Sequence, residues 1–168
     1  MTLKQQAVTL VTAVSAACLT FIAGYEGKSN AAYPDIAYGW DLPTICYGHT
    51  GSDVKQGQRL TDAQCWALLR KDADAHTGYV LELVSVPLSQ GELDAYTSFV
   101  FNVGSSNFKT STLRARLNSG DRWGACMQLL RWDQAKGIRY KGLNDRRYAE
   151  YNVCVSELPL KEHPYGKR

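Results

Sequence analysis

The stretch of sequence that decides the fold contains three blocks, Gly24-Tyr25-Glu26-Gly27, Tyr33-Pro34-Asp35 and Thr44-Ile45-Cys46-Tyr47-Gly48-His49-Thr50. Glu26 ends an uncharged apolar run, which predicts a helix with a carboxylate at its end. Glycine, aromatic and β-branched residues follow, and they predict a short twisted hairpin region from about Ala32 to Leu60. The carboxylates of Glu26 and Asp35 and the hydroxyl of Thr44 would then meet on one side of a cleft.

Two carboxylates in different surroundings have the chemistry that glycoside hydrolysis requires. A carboxyl group against apolar surface keeps its proton and can give it to the leaving oxygen, whereas a hydrated carboxylate stays ionised and stabilises positive charge or orients water. Glu26 and Asp35 are the candidates for these two roles. The spacing of Glu26 and Asp35 alone does not establish a catalytic pair, because a glutamate near a helix end is usually a surface residue.

Helical signals take over after the hairpin region. Two capping-box patterns, each at the start of an apolar periodic run, occur at Thr61-x-x-Gln64 and Ser89-x-x-Glu92. A further helix is expected from Asp121 to a stop at Gly137, and another from about Asn144 to Val155. These elements predict an α+β fold with a small β-containing lobe near the front and a larger helical lobe behind it.

Length and composition restrict the class of protein. A chain of 168 residues with 45% hydrophobic and 21% charged residues fits one globular domain and excludes a disordered adaptor. The formal net charge of +3 is too small for a dedicated nucleic-acid binder. Residues 26–94 carry 10 acidic and 5 basic residues, and residues 109–147 carry 10 basic and 3 acidic ones. The basic part would attract an extended anionic polymer, unless its charges are only solvated helix faces.

The cysteine pattern bears on the cellular compartment. The chain has 5 cysteines, Cys18, Cys46, Cys65, Cys126 and Cys154, without Cys-x-x-Cys pairs or histidines at helical spacing from them, so we expect no metal site. The later four indicate two disulfides made in an oxidising compartment, with buried free cysteines as the alternative. Of the possible pairings, proximity in sequence favours Cys46 with Cys65 and Cys126 with Cys154, which leaves Cys18 unpaired.

The N-terminal part of the chain is uncharged between Lys4 and Glu26. Its length is about that needed to cross a bilayer, but alanine, serine, threonine and glycine predominate, so insertion would be marginal. Cleavage as a secretory signal would damage the first block, because the run continues straight into Glu26. Two interpretations remain: a packed helix that begins near an N-cap at Ser15, or a weak membrane anchor that leaves the bilayer and joins the fold.

Several blocks, in their order along the chain, resemble the phage lysozyme family typified by T-even phage lysozyme, glycoside hydrolase family 24. The three blocks around Glu26 resemble its catalytic region, Thr61 to Asp72 resembles its long interlobe helix, and residues 98–104 resemble the end of its cleft-lining helix. The pattern Gly142-Leu143-x-x-Arg146-Arg147-x-x-Glu150 extends the resemblance, which covers about residues 15–154. It implies a mainly helical lysozyme-like fold in which a long helix joins the two lobes.

The resemblance also implies a domain organisation. An apolar segment, 1–14, which together with 15–25 would form the anchor, precedes a single catalytic domain, 15–155, and a C-terminal tail, 156–168. The domain would divide into a β lobe at about 28–60, an interlobe helix at about 61–80, and a helical lobe at about 81–155 that includes the first helix. The four later cysteines resemble those of the endolysin branch delivered by a signal-arrest-release segment. We therefore expect the enzyme in the host periplasm, first tethered to the inner membrane; the alternative is a cytoplasmic enzyme released by a holin.

Roles follow from the resemblance by matching position. Glu26 resembles the general acid, Asp35 the second carboxylate, and Thr44 the residue that holds the attacking water. Family members of this type cleave the β-1,4 bond between N-acetylmuramic acid and N-acetylglucosamine in peptidoglycan, without a cofactor. We therefore expect a phage endolysin that acts on peptidoglycan as a monomer, and no nucleic-acid partner. The alternatives are a lytic transglycosylase and a non-catalytic peptidoglycan-binding protein on the same scaffold.

Other matching positions imply structural support. His49 resembles the family histidine that pairs with an acid on the interlobe helix, here Asp72, and Arg146 or Arg147 would face Glu26 as its charge partner. The same comparison places Asn102 and Gly104 in the lining of the sugar groove.

The sequence departs from the family pattern between Asp35 and Thr44, where it is about three residues longer. The extra residues would either bulge outward or bring Asp41 toward the water in place of Asp35. The segment also contains Tyr38 and Trp40, whose aromatic faces would stack on sugar rings or pack in the core.

Overall fold

A computed structural model describes residues 11–36 and 38–159 of the chain. In chain order its elements are α1 (Ala16–Glu26), β1 (Ser29–Asp35), β2 (Gly39–Cys46), β3 (His49–Thr50), α2 (Asp62–Leu83), α3 (Gln90–Val103), α4 (Ser105–Thr110), α5 (Thr112–Asn118), α6 (Arg122–Leu129), β4 (Gln134–Ala135), β5 (Ile138–Arg139) and α7 (Lys141–Val155). The fold is α+β and mainly helical, as the sequence predicts.

The β lobe consists of an antiparallel sheet in the order β1-β2-β3. Helix α2 follows it and begins with a complete capping box, in which Thr61 accepts a hydrogen bond from the Gln64 backbone and the Gln64 side chain accepts one from the Thr61 backbone. With 22 residues, α2 is about 33 Å long and joins the β lobe to the helical lobe.

Two buried clusters form the core among the described residues. The smaller one combines α1, β2 and the first half of α2, with Ile22, Ile45 and Leu69 at its centre. The larger one surrounds α3, in which every residue from 91 to 100 is buried. A helix that is buried on all sides serves as the central element on which its neighbours pack, and α3 contacts α1, α2, α4 and α7.

Helix α1 matters most for the site because it ends at Glu26. Ser15 caps its N-terminus, with the side chain accepting a hydrogen bond from the Cys18 backbone N–H. The Ser15 hydroxyl and backbone N–H both donate to the carboxylate of Asp94 on α3, at 2.5 and 2.9 Å. Gly27, with φ of 68°, ends the helix in a conformation that favours glycine.

Each lobe contains one disulfide. Cys46–Cys65 joins β2 to the first turn of α2, and Cys126–Cys154 joins α6 to α7. These are the two pairs that proximity in sequence favours. Cys18 is a free, buried thiol on α1.

The helix expected from Asp121 to Gly137 is wrong in its second half. Helix α6 ends at Leu129, and residues 134–139 form the β4–β5 hairpin instead. Lys136 and Gly137 have φ values of 52° and 77° and form the two-residue turn between the strands. A turn of this kind requires two residues with positive φ, and Gly137 supplies one of them rather than a helix cap.

The N-terminal anchor prediction falls partly outside the described residues, which begin at residue 11. Within 11–36 and 38–159, no helix is both long enough and apolar enough to cross a membrane. Most of the predicted tail, residues 160–168, also lies outside the described part of the chain.

Candidate active site

An open groove of about 480 Å³ runs past the end of α1. Its lining includes Tyr25, Glu26, Asn102, Tyr140, Leu143 and Arg146. These residues come from the last turn of α1, the end of α3, and the chain that leads from the β4–β5 hairpin into α7. The groove therefore lies where α1 approaches the helical lobe, and Glu26 and Arg146 bring opposite charges to its lining.

The two carboxylate oxygens of Glu26 have different surroundings. Oε1 accepts a hydrogen bond from Arg146 Nη1 at 2.6 Å. Oε2 lies beside Gly48, in the turn between β2 and β3, where a Cβ atom would be 3.7 Å away. Gly48 has φ of 82°, so glycine is the residue that this turn favours. One oxygen is thus held by the helical lobe, and the other faces the β lobe.

A buried charge network lies behind Glu26. Arg146 also donates through Nε to Glu150 Oε1 at 3.2 Å and through Nη2 to the Ser98 carbonyl at 3.2 Å. Glu150 Oε1 further accepts from Ser98 Oγ at 2.7 Å and from Arg147 Nη2 at 2.9 Å. Two arginines and two glutamates therefore form one chain of ion pairs that runs from the groove into the core.

Burial acts on the ionisation of the inner pair. It raises the pKa of Glu150 above its ordinary value, and Arg147 and Arg146 oppose that rise by favouring the charged carboxylate. Burial also lowers the pKa of the Arg147 guanidinium, whereas Glu150 raises it. Arg147 lies over the Phe99 ring at 5.1 Å from its centre and is fully buried, so it belongs to the core rather than to the groove.

The sheet brings Asp35 and Thr44 to one face. Tyr33 lies directly opposite Thr44, and directly opposed residues in a sheet point to the same side. Asp35 follows Tyr33 by two positions, which places it on that side as well. Thr44 is buried and Asp35 is half-buried, and Asp35 Oδ1 accepts a hydrogen bond from the Tyr38 backbone N–H at 3.0 Å.

His49 connects the sheet to the long helix. Its Nδ1 lies 2.8 Å from Asp72 Oδ2 on α2, the partner that the resemblance implies. Its Nε2 lies 3.2 Å from Asp53 Oδ2, a second partner that was not expected. A hydrogen bond from its own backbone and another from His49 hold the pKa of Asp53 below its usual value. These contacts fix the β2–β3 turn, and with it Gly48, against α2.

Comparison with known proteins identifies the family of this chain. A family model described as phage lysozyme matches residues 23–150. The chain belongs to the phage lysozyme family. The SAR-endolysin of Enterobacteria phage PA-2 is 43% identical over 132 residues, which cover 79% of this chain and 78% of that protein. The SAR-endolysin of Enterobacteria phage P21 is 42% identical, with the same coverage of both chains.

Solved structures agree with this assignment. The muramidase domain of SpmX from Asticaccaulis excentricus superposes with a TM-score of 0.77 and 30% identity, over 86% of this chain and 99% of that one. A single-residue variant of P22 lysozyme superposes with a TM-score of 0.76 and 32% identity, with the same coverage. The two-lobed fold described above is therefore a known muramidase fold.

The predicted sugar-binding residues of this phage lysozyme lie in three different places. Asn102 lines the groove beside Glu26. Gly104 lies two residues further on, at the junction of α3 and α4 with φ of 85°, and is not among the lining residues. Tyr38 and Trp40 are exposed on the β lobe, so the alternative of core packing does not apply to them.

Several residues of the site were not assigned a role from sequence, among them Tyr25, Tyr140 and Glu150. Tyr25 lines the groove and places its ring 5.3 Å from the Arg146 guanidinium, and Tyr140 also lines the groove. Glu150 bonds both arginines. Its spacing of four residues from Arg146 and three from Arg147 on one helix is the signal that predicts such contacts.

Proposed function

We propose that this phage lysozyme is an endolysin that hydrolyses the β-1,4 bond between N-acetylmuramic acid and N-acetylglucosamine in bacterial peptidoglycan. Relatives that are 42–43% identical are SAR-endolysins, and a structural neighbour is a muramidase domain. In this proposal Glu26 is the general acid, Asp35 is the second carboxylate, Thr44 holds the attacking water, and the enzyme acts as a monomer without a cofactor.

The position of Glu26 carries the proposal. It lies at the groove, with 21% of its side chain exposed, and Arg146 holds one of its oxygens in place. A fixed carboxyl group that reaches an open groove can approach a glycosidic oxygen within hydrogen-bond distance. The second oxygen lies beside Gly48, where the absence of a side chain leaves room on the β-lobe side.

In the proposed reaction, Glu26 of α1 donates the proton, and Asp35 and Thr44 of the sheet act on the sugar ring and the water. Glu26 transfers its proton to the oxygen of the departing sugar as the glycosidic bond breaks. The Asp35 carboxylate stabilises the positive charge that develops on the ring, and water held by Thr44 attacks the anomeric carbon. The proton that this water loses passes to solvent, and Glu26 takes a proton back from solvent before the next turnover. The support for this division is that Asp35 and Thr44 share one face of the sheet while Glu26 comes from α1.

Replacement of the acid tests the function. Glu26→Gln keeps the shape and removes the transferable proton, so the rate of peptidoglycan solubilisation should fall by about 10²- to 10⁴-fold while the thermal unfolding curve stays in place. Glu82→Gln is the matched control, since it makes the same chemical change at an exposed glutamate of α2. Turnover by folded Glu26→Gln near that of the control would exclude Glu26 as the acid.

We also propose that the N-terminal segment holds the protein transiently in the inner membrane before release into the periplasm. The support is the uncharged run between Lys4 and Glu26, the SAR-endolysin relatives, and two disulfides that require an oxidising compartment. Because α1 carries Glu26 in the folded enzyme, the same residues cannot lie in the bilayer and complete the groove together. The tethered form is therefore expected to be inactive.

Cell fractionation distinguishes the anchor from a cytoplasmic enzyme released by a holin. The chain expressed alone should sediment with membranes and become periplasmic after depolarisation. Thr12→Lys is the control: the side chain of Thr12 is exposed in the folded enzyme, but a lysine within a marginal apolar segment opposes membrane insertion. A parent protein that is wholly cytoplasmic, with reduced cysteines, would contradict the anchor.

A further inference from the structure

Glu150 lies between the two buried arginines behind Glu26. Its Oε1 accepts from Arg146 Nε, Arg147 Nη2 and Ser98 Oγ, at 3.2, 2.9 and 2.7 Å. Its Oε2 lies 2.8 Å from Arg147 Nε. Only 1% of Glu150 is exposed, so water screens these charges little.

The groups that face this cluster come from α1 and α3. Helix α1 contributes Glu26, the Cys18 thiol and the Tyr25 ring, whose centre lies 5.3 Å from the Arg146 guanidinium, and α3 contributes Asp94 and the Ser98 hydroxyl. Helix α6 also packs against α7, but its Cys126 is bonded to Cys154 and does not titrate. The Cys18 thiol stays protonated near neutral pH. Burial, together with the charges of Asp94 and Glu150, raises its pKa to about 12.

Glu150 offsets one of the two positive charges that lie behind Glu26. Arg146 bonds Glu26 and Glu150 at once, while Arg147 contacts Glu150 and is near enough to Glu26 for the two charges to attract. Without Glu150, two buried guanidinium groups would act on the single carboxyl group of Glu26. A stronger positive field favours the ionised carboxylate, and an ionised carboxylate cannot donate a proton.

We infer that Glu150 is a positioning residue that neutralises part of the positive field of Arg146 and Arg147, so that Glu26 can hold the proton it donates. This inference rests on the proposed function, which makes Glu26 the general acid. Arg146 thereby fixes Glu26 in place while Glu150 offsets part of the positive charge behind it.

The inference predicts opposite effects of two substitutions in one ion pair. Glu150→Gln removes a negative charge, so Glu26 should lose its proton at lower pH, and the alkaline limb of the kcat/KM profile on purified peptidoglycan should move down by on the order of one pH unit. Arg147→Met removes a positive charge and fills a similar volume, so the same limb should move up. The double variant should bring the limb back toward that of the parent.

Ser98→Ala is the matched control, because it removes a hydrogen bond to Glu150 and leaves every charge in place. A purely structural role for Glu150 would lower the height of the profile in both Glu150→Gln and Ser98→Ala without moving the limb. If Glu150→Gln does not fold, Arg147→Met decides the question, since it removes a buried positive charge and leaves Glu150 paired with Arg146.

Carboxyl NMR titration of Glu26 in the same variants separates this inference from the proposed function. Opposite displacements of the Glu26 titration midpoint in Glu150→Gln and Arg147→Met, matched by the rate profile, would support both. Displaced midpoints with an unmoved rate limb would support the role of Glu150 and contradict Glu26 as the acid. Midpoints that agree with the parent within error in both variants would overturn the inference.

Discussion

Tyr33 and Thr44 lie directly opposite each other in the β lobe, although Asp35, two residues beyond Tyr33, lies opposite Gly39, five residues before Thr44. Strand β1 therefore spans this interval with Pro34 alone, and β2 spans it with residues 40–43. The three extra residues, which match the number by which the sequence exceeds the family pattern, form a bulge in β2. Between Tyr33 and Asp35 the extra residues are all in β2, so Asp35 stays two positions from Tyr33 and keeps its place on the Thr44 face.

This register ranks the two candidates for the second carboxylate. Asp35→Asn should lower the rate of peptidoglycan solubilisation by at least about tenfold, because the charge on the Thr44 face is lost, whereas Asp41→Asn should have little effect because Asp41 is exposed in the bulge. Both rates are measured on the same substrate preparation, with unfolding curves to show that the variants are folded. The reverse ranking would mean that the bulge carries the second carboxylate.

Each disulfide should contribute to stability by an amount that rises with the logarithm of the length of the loop it closes. Cys46–Cys65 spans 19 residues and Cys126–Cys154 spans 28, for which chain entropy gives about 3 and about 3.5 kcal/mol. Replacing either pair with alanines should lower the free energy of urea unfolding by amounts of this order. The fully reduced parent is the control and should be less stable than either variant. Mass mapping that finds another pairing would refute the arrangement.

Cys18 should be unreactive in the folded enzyme. Burial, followed by the charges of Asp94 and Glu150, raises the pKa of this thiol from 9.0 to about 12. Alkylation at about pH 8 should therefore modify no thiol without denaturant and one thiol per chain after unfolding without reduction. Rapid alkylation of Cys18 in the folded protein would contradict its buried position.

The raised pKa of Cys18 makes the free energy of unfolding depend on pH. Between about pH 9 and 12 the unfolded chain loses the Cys18 proton while the folded chain keeps it, so the contribution of this thiol is present below about pH 9 and is lost as the pH rises. Cys18→Ala removes that contribution, and its unfolding free energy should depend less steeply on pH across this window. Equal slopes for parent and variant would show that Cys18 titrates alike in both states.

Local signals predicted much of the fold. Ser15, Thr61 and Ser89 are caps that satisfy backbone donors whatever the tertiary structure, so they mark the starts of α1, α2 and α3 correctly. Gly137 is different, because a glycine after an apolar run can end a helix or supply the positive φ of a hairpin turn. Only the pairing of β4 with β5 distinguishes a helix end from a hairpin turn, and that pairing is not visible in the sequence.

The site was predictable in its residue types and less so in its contacts. Arg146 and Arg147 are adjacent on one helix, and side chains at successive helical positions point about 100° apart. One of them therefore reaches Glu26 while the other enters the core beside Phe99. Which arginine reaches Glu26 and which enters the core depends on how α7 is rotated against α3. That rotation is a property of the packed core rather than of the local sequence.

Digestion of purified peptidoglycan in water enriched in heavy oxygen, followed by mass spectrometry of the fragments, tests hydrolysis by this enzyme most directly. Water that attacks the anomeric carbon should leave one solvent oxygen on the new reducing end of N-acetylmuramic acid, and Glu26→Gln should give almost no such product. Anhydro-muramic ends without the heavy oxygen would show a lytic transglycosylase, and binding without any fragment would show a non-catalytic protein. Either result would contradict the assignment of Glu26, Asp35 and Thr44 to a hydrolytic site.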